Sequence, residues 1–396
     1  MSRAPAKEHT TPAPSDPSHL PPEEGIRGWL CLLGSFLCMF CSFGFLNSMG
    51  VFQKTYEETI LKGYSPSSIS WISAVQLCLV LALGPIYGRI FDTYGASPIL
   101  YPCSVCCVLS LCMTSLAHEY YQILLAQGLL FGIGSGGLFL AGSLSVGQWF
   151  VRRRGLAMGI TSTGSSLGGV IFPIFMDRMI QLVGFANAAR YAALLVGILL
   201  VIACLLTKAR LPRKKWDRDV KWFDAKLFRQ NEFAFYTVGV WFTLWTMWAP
   251  YNYISTMAVK QRFPSSLTLY LVSMINYCAT SIPGRTLPPF LADKFGHFNT
   301  FTASSFASGI AILTLWLPFN YHVSPSGLIV FSLIYGFVSG AIVALFMPCV
   351  AKLGKLETLG QRLGTFQFVI SSRALFVTYN RTITQDYRFL QVYRFY

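Results

Sequence analysis

The chain has 396 residues, of which 54% are hydrophobic, 15% are aromatic and only 12% are charged, and its mean hydropathy is +0.51. Soluble domains carry about twice that share of charge, so this composition excludes an ordinary soluble domain. The formal net charge is +15, but Lys and Arg fall between apolar runs instead of forming a stripe with exposed aromatic residues. That distribution argues against a nucleic-acid partner.

Residues 1–25 are rich in Pro and small polar residues, which predicts a disordered tail without the apolar stretch of a signal peptide. Beyond the tail, apolar runs recur at the length of roughly 18–25 residues that a helix needs to cross a membrane. The runs cover residues 29–52, 70–90, 98–117, 121–146, 155–176, 190–207, 234–258, 267–290, 299–319 and 325–349. The sequence therefore predicts an all-α integral membrane protein with about ten spans.

Lys and Arg are concentrated in alternate loops, and the segment after the sixth run is the most basic of them. Basic loops are retained on the cytoplasmic side, so we expect a multi-pass protein with a cytoplasmic N-terminus. Residues 208–233 are predicted to form a basic cytoplasmic linker between an N-terminal six-helix half at 26–207 and an incomplete C-terminal half at 234–371.

Two predicted cytoplasmic loops, one in each half, share an Asp-x-x-Gly pattern, from Asp92 to Gly95 and from Asp293 to Gly296, and Gly88 precedes the first. Such acids can be ordinary solvated loop residues. Their matched positions favour a gate, in which each carboxylate meets a cation or a helix N-terminus on a neighbouring loop and closes the inner side. The candidate gating cations in the loop after the fourth run are Arg152, Arg153 and Arg154.

The fifth run carries Gly159, Gly164, Gly168 and Gly169 together with several Ser residues, so one face of this helix is nearly free of side chains. Small faces of this kind let membrane helices cross closely. The face therefore serves either helix packing alone or the wall of a solute cavity.

Arg285 lies in the second half of an apolar run, where a charge costs at least ~2.5 kcal/mol. Either it snorkels to the nearby membrane edge, or its planar donor fork binds a substrate carboxylate. Asn47, Gln76 and Asn276 add polar groups to the first, second and eighth runs. Each of these residues lines the cavity or makes a helix–helix hydrogen bond.

These motifs resemble those of a known family. The stretch Gly84–Gly95 resembles the loop signature of the major facilitator superfamily. The stretch Trp149–Gly159, followed by Gly164–Gly169, resembles the span-five signature of the monocarboxylate transporter family, particularly its fungal branch. Glu24–Trp29 is similar to the entry motif of that family. The resemblance covers residues 24 to about 371 and implies a helix bundle that carries small organic anions by alternating access.

The same resemblance implies an Arg at position 285, an Asp one turn earlier and a Lys in the first span as proton-coupling partners. This chain has Ser281 and Asn47 at the two latter positions. The spans contain no obvious midplane carboxylate, which argues against proton-coupled transport of lactate or pyruvate. A co-transported proton is kept as an alternative.

The family has twelve spans, whereas here the eleventh run is partial and ends near residue 371. Residues 372–396 are too polar to cross a bilayer, so we expect a non-membrane tail in place of the twelfth span. A frameshift or retained intron that ends the reading frame early would produce such a tail.

The sequence thus predicts a transporter of small organic solutes, with a monocarboxylate-like anion as substrate and the plasma membrane as location. The alternatives are a nutrient sensor that moves nothing and a nonfunctional truncated transporter. An enzyme is not expected, because the spans lack paired carboxylates, a His cluster and a nucleophile beside a base. No cofactor or metal is expected either, since the Cys residues lie in or beside apolar runs without His at ligand spacing.

Overall fold

The computed structural model describes residues 25–217, 221–260, 280–320 and 325–372. Within these ranges the chain is helical, with short connections except at residues 207–217 and 221–230, and contains no β-strand, which confirms the all-α prediction. The helices are α1 (Ile26–Ile60), α2 (Pro66–Tyr94), α3 (Ser97–Thr114), α4 (Tyr120–Trp149), α5 (Arg154–Val183), α6 (Phe185–Leu206), α7 (Asn231–Lys260), α8 (Ser281–Phe295), α9 (His297–Trp316), α10 (Pro325–Lys352) and α11 (residues 359–372).

Eight of the described helices, namely α1 to α6, α9 and α10, are long and apolar enough to cross a membrane. The predicted multi-pass membrane class is therefore confirmed, whereas the count of ten spans plus a partial eleventh stays a prediction. The predicted tails at 1–25 and 372–396 fall, except for residues 25 and 372, outside the described residues.

Local chemistry sets several helix ends. Ser65 caps α2 by accepting a hydrogen bond from the backbone N–H of Ser68 at 3.2 Å, with Pro66 as the first helical residue. Gly95 and Gly296 end α2 and α8 with positive φ angles of 83° and 96°. A residue with a Cβ would be strained there, so both glycines of the Asp-x-x-Gly pattern act as helix stops.

The helices pack as two halves that meet along two equivalent pairs. In the first half α1 packs on α4, α5 and α6, and in the second half α8 and α9 pack on α10. Between the halves α5 packs on α8 and α2 lies against α11. The second and fifth helices of each half thus contact the fifth and second helices of the other.

The backbones of α2 and α11 touch at Gly88 and Gly360. A Cβ on Gly88 would overlap the carbonyl oxygen of Gly360, and a Cβ on Gly360 would overlap that of Gly88. The two helices could not approach this closely with larger residues at either position.

The small face of α5 divides between two neighbouring helices. A Cβ on Gly159 would overlap the carbonyl oxygen of Arg285 in α8, whereas a Cβ on Gly164 or Gly168 would overlap carbonyl oxygens of α1. Gly169 is buried in the same helix. The face predicted from sequence therefore lies against one helix of each half.

Candidate functional site

A cavity lies between the two halves, with an empty volume of about 1040 Å³ that includes the part open to solvent. Its wall is drawn from α1, α2, α4 and α5 of the first half and from α7, α8, α10 and α11 of the second. The apolar lining residues are Met39, Phe43, Leu81, Phe139, Met158, Leu244, Met247, Val343, Ala344, Phe346, Met347 and Ile370. The polar ones are Asn47, Ser143, Thr161, Ser162, Ser165 and Arg285.

The side chain of Arg285 bridges the two halves of the protein. Its Nη1 atom donates a hydrogen bond of 2.6 Å to the carbonyl oxygen of Ser162 and a second hydrogen bond to the hydroxyl of Ser165, both in α5. The side chain is only 9% exposed. The guanidinium therefore faces the cavity and the first half, which places a positive charge on a mostly apolar wall.

Asn47 lies beside the same cluster. Its side-chain nitrogen is 3.4 Å from the carbonyl oxygen of Ser165, to which it donates a hydrogen bond. Ser281, one turn before Arg285, shares a 3.2 Å hydrogen bond with Ser166 of α5. The structure thus brings Asn47 and Arg285 together, because both donate hydrogen bonds to Ser165 of α5.

Gln76 does not line the cavity, contrary to the sequence expectation. It is fully buried, and its backbone faces Gly132 of α4. The reason is helical register, because Leu81 of α2 does line the cavity and five residues turn a helix by about 500°, which places Gln76 well to one side of that face. The fourth predicted site residue, Asn276, lies outside the described residues.

The two loop aspartates each bind the N-terminus of a helix in the opposite half. Asp92 accepts hydrogen bonds of 2.8 Å from the backbone N–H groups of Gly360 and Gln361. Asp293 accepts bonds of 2.8 and 2.9 Å from Gly155 and Leu156. A carboxylate is stabilised there by the unpaired N–H groups and by the helix dipole. Both contacts hold the halves together at the end of the bundle where the described parts of the connection between α6 and α7 lie, residues 207–217 and 221–230. We call this connection the linker and this end of the bundle the linker end.

The basic loop before α5 divides into exposed and buried residues. Arg152 and Arg153 are exposed, whereas Arg154 is only 5% exposed. Arg154 donates to the carbonyl oxygen of Ala351 at the end of α10 with a distance of 3.3 Å. Arg154 therefore joins the two halves through a hydrogen bond to a backbone carbonyl. The hydrogen bonds described above for Asp92 and Asp293 are donated by backbone N–H groups at helix N-termini.

Sequence reasoning missed two groups of residues. Ser162 and Ser165 belong to the small face of α5, so their role as acceptors for Arg285 was hidden among packing residues. The contact of Arg89 with Trp216 and Trp222 of the linker, at 4.2 and 4.4 Å from the ring centres, was also missed. An Arg at a span end followed by Trp residues in a basic linker is a weak signal, because nothing in the sequence shows that the linker folds back.

Comparisons with known proteins agree on one family. The model of the Major Facilitator Superfamily matches residues 13–377. The chain is 40% identical to the MFS-type transporter hasB of Aspergillus fumigatus, covering 92% of this chain and 83% of that protein. It is 38% identical to the fujikurins efflux protein of Gibberella fujikuroi, covering 90% and 75%. It is 36% identical to the agnestins efflux protein AgnL12 of Paecilomyces divaricatus, covering 88% and 79%.

Solved structures share the fold at low sequence identity. The human organic anion transporter MFSD10 superimposes with a TM-score of 0.65 at 15% identity, covering 88% of this chain and 90% of that one. The fucose:proton symporter FucP of E. coli gives a TM-score of 0.63 at 15% identity, covering 90% and 92%. At this level of identity the likeness speaks for the helix bundle alone.

Proposed function

Because this chain belongs to the major facilitator superfamily and is a membrane transporter, not an enzyme, we propose that it exports an amphipathic organic anion by alternating access. The substrate is a mostly apolar metabolite that carries a carboxylate or a similar acidic group. The observation that carries this proposal is the guanidinium of Arg285, the one charged group among the described residues that line this mostly apolar cavity.

The cavity wall favours a larger molecule than a simple monocarboxylate. Met, Phe, Leu, Ile and Val side chains make most of it, and apolar walls favour apolar ligand surface. Lactate or pyruvate would leave this surface uncovered, whereas an aromatic or branched acid would cover it. Arg285 then holds the carboxylate through its planar donor fork.

The names of similar proteins support outward transport. Two relatives above 35% identity are named efflux proteins, one for fujikurins and one for agnestins. We therefore propose the plasma membrane as the location, with the linker end facing the cytoplasm because the basic segments collect there.

Export of an anion does not require a co-transported proton as its driving force. No Asp or Glu lines the cavity among the described residues, so no acidic side chain is placed there to exchange a proton with the substrate. A membrane potential that is negative inside favours the exit of one negative charge by about 2.3 kcal/mol for each 100 mV. We therefore propose that the potential and the substrate gradient drive export, with proton coupling as the alternative.

The test is transport into sealed vesicles whose linker end faces outward, which is the export direction. The probes are fluorescein, an aromatic carboxylate, and radiolabelled lactate, a small hydrophilic one. We expect saturable accumulation of fluorescein and little of lactate. Arg285→Ala should lower the accumulation at least tenfold, because a charged hydrogen bond contributes roughly 1.5–3 kcal/mol.

The matched control is Arg178→Ala, which removes an exposed cation from α5 at a distance from the cavity. This variant should transport like the parent chain. Fluorescein transport that is unchanged in Arg285→Ala would refute the anion site. Lactate transport that exceeds fluorescein transport would refute the amphipathic class, and equal transport of fluorescein with and without the protein would refute the proposed substrate class.

A further inference from the structure

The linker between the halves lies across the closed end of the bundle and contacts both helices that Asp92 joins. On the α2 side, Lys214 N–H donates to the carbonyl oxygen of Thr93 at 2.8 Å, and the ring of Trp216 stacks on Tyr94 with 5.9 Å between centres. The linker is therefore attached directly to the last turn of α2.

On the α11 side, the linker is attached by a second set of contacts. The side chain of Gln361 donates to the carbonyl oxygen of Lys221 at 3.0 Å. The backbone N–H of Asp224 donates to the hydroxyl of Thr365 at 3.4 Å, and the ring of Phe223 meets that of Phe368. The two described parts of the linker, 207–217 and 221–230, thus contact α2 of the first half and α11 of the second.

The side chain of Arg89 in α2 binds the linker. Its guanidinium packs on the rings of both Trp216 and Trp222, at 4.2 and 4.4 Å from their centres, and donates to the carbonyl oxygen of Asp217 at 2.7 Å. Arg89 is only 5% exposed. A buried cation needs partners, and the described partners of this guanidinium all belong to the linker.

We propose that the linker is a latch, held by the clasp of Trp216, Arg89 and Trp222, which must release before the linker end can open. Opening separates α2 from α11, so the linker cannot keep both sets of contacts. The clasp therefore adds to the stability of the closed linker end, independently of which solute occupies the cavity.

The test measures how often the linker end opens. Ser143 lines the cavity in α4 and is buried, so Ser143→Cys provides a thiol that a membrane-impermeant maleimide reaches from the linker side only when that end opens. A tag at the N-terminus reports the orientation of each vesicle preparation, since a protease added outside removes it only where the N-terminus faces outward. Six candidate spans lie between residue 25 and the linker, so we expect the tag and the linker on the same side. The chain without Ser143→Cys gives the background labelling.

We expect Arg89→Ala, and the pair Trp216→Ala with Trp222→Ala, each to raise the labelling rate about tenfold. Combining them should add little more, because either change alone opens the clasp. The pair Trp216→Phe with Trp222→Phe keeps aromatic faces over the guanidinium and should label close to the parent rate. This conservative pair also separates the latch from a general loss of folding.

The matched control is the pair Arg213→Ala with Lys215→Ala, two exposed cations of the same segment. We expect the parent labelling rate, because charge in the linker is not what holds the latch. Parent-like labelling in Arg89→Ala or in the Trp→Ala pair would overturn the proposal. So would an equal increase in the Arg213 and Lys215 control, or fully additive effects of Arg89→Ala and the Trp→Ala pair.

Discussion

Arg285 is held in this structure by the half of the protein to which it does not belong. Its guanidinium donates to the carbonyl oxygen of Ser162 and to the hydroxyl of Ser165. Hydrogen bonds from a charged donor contribute roughly 1.5–3 kcal/mol. A carboxylate that binds Arg285 must therefore displace acceptors of α5, so substrate binding would loosen a bond between the halves.

Ser165→Ala removes one of these competing acceptors. We expect the KM of fluorescein transport to fall about threefold to tenfold, because the carboxylate then competes with one acceptor fewer for the guanidinium. Initial rates of transport over a range of substrate concentrations would measure the change. Ser166→Ala is the control, because its hydroxyl pairs with Ser281, and its KM should stay near the parent value. A KM that rises only in Ser165→Ala would mean that the hydroxyl positions Arg285 for substrate and does not compete with it.

At the scale of helices, the closed end is built from one arrangement used twice. The end of α2 caps α11, and the end of α8 caps α5, in each case through a carboxylate that accepts two backbone N–H groups. A negative charge at a helix N-terminus contributes about 0.3–1 kcal/mol at exposed sites and up to about 2 kcal/mol in partly buried ones. Close backbone contact at Gly88 lets the Asp92 carboxylate reach the start of α11.

Gly88→Ala should push α2 away from α11. Its Cβ would overlap a backbone carbonyl, which cannot rotate aside as a side chain can. We expect a loss of stability of roughly 1–3 kcal/mol, visible as a lower melting temperature in detergent, together with faster labelling of Ser143→Cys from the linker side. In the control Gly309→Ala the new Cβ meets no atom within 4 Å, and the protein should melt no lower than its parent. Equal melting temperatures for the two variants would contradict this account of the α2–α11 contact.

At the scale of the whole molecule, the contacts between halves collect at the linker end. The two aspartate caps, the Arg154 bond to Ala351 and the linker all lie there, and Arg285 bridges the halves at the cavity. A carrier whose halves rock against each other needs contacts at each end that form when that end closes and break when it opens. The structure is accordingly closed at the linker end, with the cavity above it.

The basic linker predicts the orientation of the whole protein in the membrane. Gly63 lies in the exposed connection between α1 and α2, and Arg213 lies in the linker. In intact cells we expect an impermeant maleimide to label Gly63→Cys but to reach Arg213→Cys only after permeabilisation, because basic loops stay cytoplasmic. Labelling in the reverse pattern would place the linker outside and would also reverse the proposed direction of transport.

Sequence was sufficient for features that depend on local pattern and insufficient for those that depend on which surfaces meet. Hydropathy located α1 to α6, although the run at 29–52 is shorter than α1 because Glu57 and Glu58 lie in its last turn. The repeated Asp-x-x-Gly pattern located Asp92 and Asp293. Gln76 was misplaced because composition does not fix which face of a helix meets the cavity, and the linker clasp was missed because its partners are far apart in the chain.

The aspartate caps also bear on how the two halves can change over evolutionary time. Each carboxylate binds main-chain N–H groups, so the side chains of Leu156 and Gln361 take no part in these bonds. Replacements at those two positions preserve the bonds as long as the helix starts at the same residue. The side chains at these two positions can therefore change without loss of either cap, so the paired closure does not require the two halves to stay alike in sequence there.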